Sequence, residues 1–215
     1  MSIGVHHYFE FFALIVSLVS ARKLSKSFLF AVVPYLLITL ISELLANYFY
    51  FSRGYATGWI YNILNLISHV FYSYVFYKYS ASIAQRNAII SLTSAYVLIS
   101  FVYYLLTSFL TFSHYIIASG GVIQSLFACF YFFEYLRNDS FVKKKHYTCG
   151  LFIAAGVLIF YSGIIICFSL YNYIRANGLS VLGLPLYNII PRYLSVILYC
   201  CISIGLSVWR NPRTT

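Results

Sequence analysis

Long apolar runs separated by short polar segments dominate the chain, and seven of them approach the roughly 20 residues that a helix needs to cross a bilayer. The runs are apolar on all sides and lack the alternation of polar and apolar residues typical of membrane β-strands. We therefore predict an all-α, polytopic membrane protein with seven transmembrane helices in a single domain over residues 1–215. The predicted helices are, in chain order, Val5–Ala21, Phe28–Phe51, Gly58–Tyr79, Ala88–Phe112, Tyr115–Leu136, Cys149–Tyr173 and Leu186–Trp209.

The amino-acid composition supports this architecture. Charged residues make up 8% of the chain, against about 25% in an ordinary soluble domain. Hydrophobic residues make up 62% of it, and the mean hydropathy is +0.84. This composition excludes a soluble enzyme, a disordered protein and a secreted disulfide scaffold. We expect membrane lipids as partners and an integral location in the membrane.

The distribution of lysine and arginine predicts the orientation of the helices. Of the 14 basic residues, 11 fall in the loops of one side and in the C-terminal tail, whereas the opposite loops hold Arg53 and Arg175. Because cytoplasmic loops are enriched in Lys and Arg, the N-terminus is expected outside and the C-terminus in the cytoplasm. The net charge of +10 is therefore mainly an insertion signal, and no nucleic-acid partner is expected.

Polar residues inside the predicted helices are the candidates for function, since ionisable groups are costly within a bilayer. They repeat at helical spacing and lie mostly in the outer part of the membrane, so each set shares one helix face. An arginine there would bind an anionic group with its two-pronged guanidinium, and a nearby glutamate would orient it. The predicted ligand-binding residues are Glu43, Asn47, Asn62, Asn65, His69, Asn188 and Arg192.

Two interpretations of these residues stay open. They form either a pocket for a small polar or anionic ligand, in a protein of transport or sensing, or a polar network that holds the helices together. Two further alternatives are a sensor or accessory subunit acting through a partner membrane or signalling protein, and an intramembrane lipid-modifying enzyme using Glu43 and His69. An enzyme is the less expected case because no nucleophile stands beside a base, so no catalytic residue is assigned.

No cofactor and no metal site are expected from the sequence. His6, His7 and Glu10 come nearest to a set of metal ligands, in the first predicted helix. However, the chain has no pair of histidines four residues apart and no aspartate in a predicted helix, so the usual ligand spacing is missing.

A short internal similarity suggests two related halves. The order of residues around the end of the second predicted helix recurs around the end of the sixth, which would relate helices two and three (28–79) to helices six and seven (149–209). The corresponding residues are Asn47-Tyr48, Arg53, Gly58 and Tyr61-Asn62 in the first copy, and Asn172-Tyr173, Arg175, Gly183 and Tyr187-Asn188 in the second. This layout resembles the small sugar transporters called SWEETs, although their Pro-Gln motif is absent, and the resemblance implies a substrate site between the halves.

A second resemblance covers most of the chain. It is carried by Glu43 late in the second helix, Tyr61-Asn62 at the start of the third, a basic loop after the fifth and Arg192 early in the seventh. In these features the chain is similar to uncharacterised small seven-helix bacterial integral membrane proteins. The resemblance implies the architecture and a location in the bacterial inner (plasma) membrane, and no particular activity.

Overall fold

The computed structural model describes residues 4–25, 27–50, 54, 56–138, 145–181 and 183–209. Nearly all of them are helical, which confirms the all-α prediction. A single turn of 3₁₀ helix, Phe28–Ala31, precedes α2, and two short strands pair antiparallel before the last helix. The elements are α1 Val5–Leu24, α2 Val32–Tyr48, α3 Gly58–Tyr79, α4 Ile83–Leu106, α5 His114–Arg137, α6 Lys145–Ser169, α7 Tyr171–Ala176, β1 Ser180–Val181, β2 Leu184–Pro185 and α8 Leu186–Val208.

Five of these helical segments are long and apolar enough to cross a membrane: α2 with its preceding 3₁₀ turn, α4, α5, α6 and α8. The helices α1 and α3 have sufficient length, with 20 and 22 residues, but their histidine, asparagine and tyrosine residues lower the mean hydropathy. The five apolar helices indicate an integral membrane protein.

The surface of the helices is apolar where a soluble protein would be polar. On α4, for example, Leu98 is 64% exposed, Leu105 70% and Leu106 80%. A contiguous apolar surface of this kind marks a face that contacts another molecule or a membrane, and here it extends over most of the long helices. This exposed apolar surface, like the lengths of the apolar helices, indicates an integral membrane protein.

Six of the long helices form a closed ring. Around the ring, α1 packs against α2, α2 against α3, α3 against α5, α5 against α6, α6 against α8, and α8 against α1. The helix α4 lies outside this ring and contacts α3 and α5. Its position explains why so much of its apolar surface is exposed.

Tyrosines from four helices fill the middle of the ring. Tyr35 of α2, Tyr72 of α3, Tyr161 of α6 and Tyr199 of α8 are all buried. The Tyr35 hydroxyl donates a hydrogen bond of 3.1 Å to the Tyr72 hydroxyl, and the Tyr72 and Tyr161 rings meet edge to face with centroids 6.1 Å apart. Among the described residues, the interior of the ring is therefore filled by packed aromatic side chains.

The largest boundary error concerns the fourth helix, predicted over residues 88–112 and observed over 83–106. It begins earlier because Glu134 of α5 accepts hydrogen bonds from the backbone amides of Ala81 and Ser82, which fixes the turn before α4. It ends earlier because the carbonyls of Phe109 and Thr111 accept hydrogen bonds from a side chain of α3.

The segment between α6 and α8 also differs from the expectation. The sixth predicted helix ends at Ser169, and the short helix α7 and the β1–β2 hairpin follow it. Gly183 has a φ of +76° in the tight turn between the strands, a conformation that glycine adopts without strain.

Several residues used in the predictions lie outside the described part of the chain, namely Lys26, Phe51, Arg53, Lys143, Lys144, Arg210 and Arg213.

Candidate functional site

A cluster of potential metal or ligand contacts forms where the start of α1 meets the end of α2. One side-chain ligand atom from each of His6, His7 and Glu43 lies within 4.8 Å of the other two. The histidines are in the first turn of α1, and Glu43 is near the end of α2, which packs against α1. We call these three residues the His–Glu cluster.

The histidine rings are held by the backbone just before α1. The Nδ1 atom of His7 lies 3.3 Å from the carbonyl oxygen of Gly4, and a hydrogen bond there requires the proton on Nδ1, which leaves Nε2 as the acceptor of a neutral ring. The two rings lie 3.9 Å apart, centroid to centroid. A Cβ atom on Gly4 would be 2.7 Å from His6 Cε1, so a larger residue at this position would displace the His6 ring.

Hydrogen bonds from neighbouring tyrosines position the two carboxylates of this region. The Tyr61 hydroxyl donates to Glu43 Oε2 at 3.1 Å. Below the His–Glu cluster, the Tyr199 hydroxyl donates to Glu10 Oε1 at 3.0 Å, and Glu10 is only 1% exposed. The side chains of Glu10 and Glu43 are close enough to interact electrostatically.

The guanidinium of Arg192 completes the region from α8. Its side chain is exposed, and it lies within electrostatic range of His6, His7 and Glu43. Tyr61, and not Arg192, donates the hydrogen bond to Glu43. The guanidinium therefore offers its donors at the rim of the cluster.

Several buried polar atoms of this region have no hydrogen-bond partner among the described residues. They are His6 Nδ1, His7 Nε2 and Glu10 Oε2. A buried polar group left without a partner costs about 1–3 kcal/mol, and buried polar groups in proteins are nearly always bonded. Three such atoms close together favour a site that binds a ligand over a network whose only role is structural.

Asn62 presents the opposite case. It is fully buried, and its amide nitrogen donates to the carbonyls of Phe109 at 2.9 Å and Thr111 at 2.8 Å. Its amide oxygen accepts from the backbone amide of Ser113 at 3.3 Å. The side chain therefore ties the start of α3 to the α4–α5 loop, and its polar atoms are all engaged.

Asn65 and His69 also lie toward α4 and α5. The Asn65 amide donates to the Tyr96 hydroxyl at 2.7 Å, and the His69 ring stacks on the Tyr96 ring with centroids 3.9 Å apart. The carbonyl of His69 accepts a hydrogen bond from Gln124. The polar residues of α3 therefore fall into two groups. Tyr61 contacts the His–Glu cluster, whereas Asn65 and His69 contact α4 and α5.

The remaining two predicted site residues belong to α2 and α8. Asn47 is half-buried one turn after Glu43, and Asn188 is exposed one turn before Arg192. Their role in ligand binding stays a prediction, as it does for the other five.

Sequence reasoning grouped His6 and His7 with Glu10, whereas the structure groups them with Glu43. Glu10 follows the histidines at helical spacing, which made it the obvious third ligand. The position of Glu43 near the end of α2 was the signal for the actual grouping, because α1 and α2 are consecutive and pack against each other, so that the end of α2 lies beside the start of α1. Tyr61 and Tyr199, which orient the carboxylates, carried no such signal.

Comparison with known proteins finds no match: no family model, no curated protein and no solved structure is significantly similar to the chain. The interpretation of the site therefore depends on its own geometry and chemistry.

Proposed function

We propose that the chain is a seven-span protein of the bacterial inner membrane, with its N-terminus outside, that binds a small polar or anionic ligand at its outer face for transport or sensing. The less apolar helices α1 and α3 belong to the same closed ring as four of the five apolar helices. A ring closed in this way supports a position in the bilayer for all of its members. The bias of basic residues toward one side supports the orientation.

The observation that carries the proposal is the exposed guanidinium of Arg192, which lies within electrostatic range of His6, His7 and Glu43. Arginine donates several hydrogen bonds in a fixed plane, which suits carboxylates and phosphates. Next to it, the buried Nε2 of His7 can accept a hydrogen bond from a hydroxyl or amide group of a polar ligand. A ligand at this place would be small, because Glu10 and the core tyrosines fill the space below.

Ligand binding is tested by a thermal-stability screen of the purified protein in lipid nanodiscs against phosphate, sulfate, acetate and succinate. We expect at least one anion to raise the melting temperature in a concentration-dependent way. The variant Arg192→Gln should weaken its binding at least tenfold. The matched control is Arg175→Gln, which removes an exposed arginine from α7 and should leave the affinity unchanged.

The proposal would be wrong if no anion stabilised the protein, or if Arg192→Gln bound the anion as well as the unaltered protein does.

Topology is tested separately with a membrane-impermeant maleimide on intact cells, after Cys129, the exposed native cysteine, is replaced by serine. Ser180→Cys in the hairpin should react in intact cells, and Ala81→Cys in the α3–α4 turn only after permeabilisation. The reverse pattern would contradict the orientation.

A further inference from the structure

We infer that His6, His7 and Glu43 bind a divalent transition-metal ion of the zinc type. This inference goes beyond the anion site of the proposed function, because it depends on two imidazoles and a carboxylate and not on the Arg192 guanidinium. Two histidines and one glutamate are an established ligand set for Zn²⁺, in which a fourth position is left for water or another ligand.

The separation of the ligand atoms fits such an ion. They lie within 4.8 Å of one another, whereas tetrahedral Zn²⁺ with bonds of about 2.0–2.1 Å places its ligands about 3.4 Å apart. The difference is closed by small rotations of the side chains. Both imidazoles are already more than nine-tenths buried, with His6 8% exposed and His7 7% exposed.

The second contacts of these side chains are those that metal ligands use. A histidine that binds a metal through one nitrogen usually donates the other N–H to a carbonyl or carboxylate, which fixes its tautomer. His7 does this with the Gly4 carbonyl and has its buried Nε2 without a partner among the described residues. Glu43 is held through Oε2 by the Tyr61 hydroxyl, and its carboxylate supplies the third ligand atom of the cluster.

A second carboxylate lies close enough to support a cation. Glu10 sits one turn deeper than the histidines, its side chain interacts electrostatically with that of Glu43, and its Oε2 is buried without a partner among the described residues. A divalent ion bound by Glu43 would therefore be attracted by the ionised forms of both carboxylates.

The test is a titration of the full-length protein in nanodiscs, purified with a tag that contains no histidine and freed of metal by chelation. Zn²⁺ binding is measured by calorimetry, and Co²⁺ is used as a probe because its visible absorption reports tetrahedral coordination. We expect one ion per chain and at least 100-fold weaker binding in His7→Ala, His6→Ala and Glu43→Gln. The matched control His114→Ala removes a histidine from the start of α5 and should bind as the unaltered protein does.

Two further variants separate this inference from the proposed function. Gly4→Ala keeps the three ligands but places a methyl group against the His6 ring, so it should weaken metal binding about tenfold. Arg192→Gln removes a nearby positive charge, so metal binding should be kept or strengthened while anion binding is lost. If Arg192→Gln loses anion binding and keeps metal binding, the two kinds of binding are independent. Failure of the proposed function in other tests would then not affect the metal site.

Absence of a stoichiometric ion, or equal binding by the unaltered protein and all three ligand variants, would overturn the inference. If the variants fail to fold, X-ray absorption of the Zn²⁺-loaded unaltered protein decides the question. Two imidazoles and at least one oxygen in the first coordination shell would support the site. A shell with fewer than two imidazoles, or with sulfur, would refute it.

Discussion

Replacing Asn62 with alanine should destabilise the protein strongly, because this one side chain holds the α4–α5 loop against α3. It donates to the carbonyls of Phe109 and Thr111 and accepts from the amide of Ser113. Removing the amide group breaks all three hydrogen bonds at once. No other side chain of the described residues takes its place at those three backbone groups.

The size of the loss follows from the surroundings of the three partners. Phe109 and Thr111 lie in an exposed part of the loop, so water can replace the lost donor, and each broken bond costs about 0.5–1.5 kcal/mol. Ser113 is only 6% exposed, and leaving its amide unbonded costs about 1–3 kcal/mol. Alanine regains about 0.5 kcal/mol through its higher helix propensity. The net loss should be about 1.5–5.5 kcal/mol.

The free energy of unfolding is measured by reversible denaturation with SDS in mixed micelles, followed by circular dichroism. Asn87→Ala is the matched control, since Asn87 is also the fifth residue of its helix but is exposed on α4. It includes the same gain in helix propensity without the buried hydrogen bonds. A difference between the two variants of less than about 1 kcal/mol would refute the reasoning, and a ligand-binding role for Asn62 would then regain weight.

Two further changes test the packing of the helix ring and of its turns. Gly156→Ala should cost about 1–3 kcal/mol of stability, because its new methyl group would lie 2.7 Å from the rigid Cβ of Cys201 on α8. Gly121→Ala should cost less, because its nearest contact is 3.1 Å away at Ile165. A loss for Gly121→Ala equal to or greater than that for Gly156→Ala, in the same unfolding assay, would contradict this explanation. Glu134→Ala should cost about 1–2 kcal/mol, because it removes a buried carboxylate from two backbone amides of the α3–α4 turn. Glu134→Gln should lose less, because its carbonyl oxygen still accepts these hydrogen bonds. Equal losses of stability in the two variants would show that the hydrogen bonds do not matter.

The helices themselves were largely predictable, and the limits of prediction have physical causes. The third helix was predicted at its observed bounds, Gly58–Tyr79, because its apolar run ends at clear polar or turn residues. The end of α4 was not, because residues 107–112 are apolar enough to continue a helix and leave it only through contacts with Asn62. A contact between residues almost 50 positions apart leaves no trace in local hydropathy.

The same limit applies to the site, where the sequence reveals which residues are polar but not which are bonded. Asn62 and His7 have equal standing as polar residues of predicted helices, yet the polar atoms of Asn62 are engaged with the backbone and His7 keeps a buried nitrogen without a partner among the described residues. In a bilayer no water relieves such an atom, so a cost of this kind is expected to persist only where binding repays it. Accounting for hydrogen bonds atom by atom therefore separates Asn62, whose polar atoms are engaged, from His6 and His7, whose buried nitrogen atoms have no partner among the described residues. Glu43 joins the two histidines by position, since its ligand atom lies within 4.8 Å of theirs.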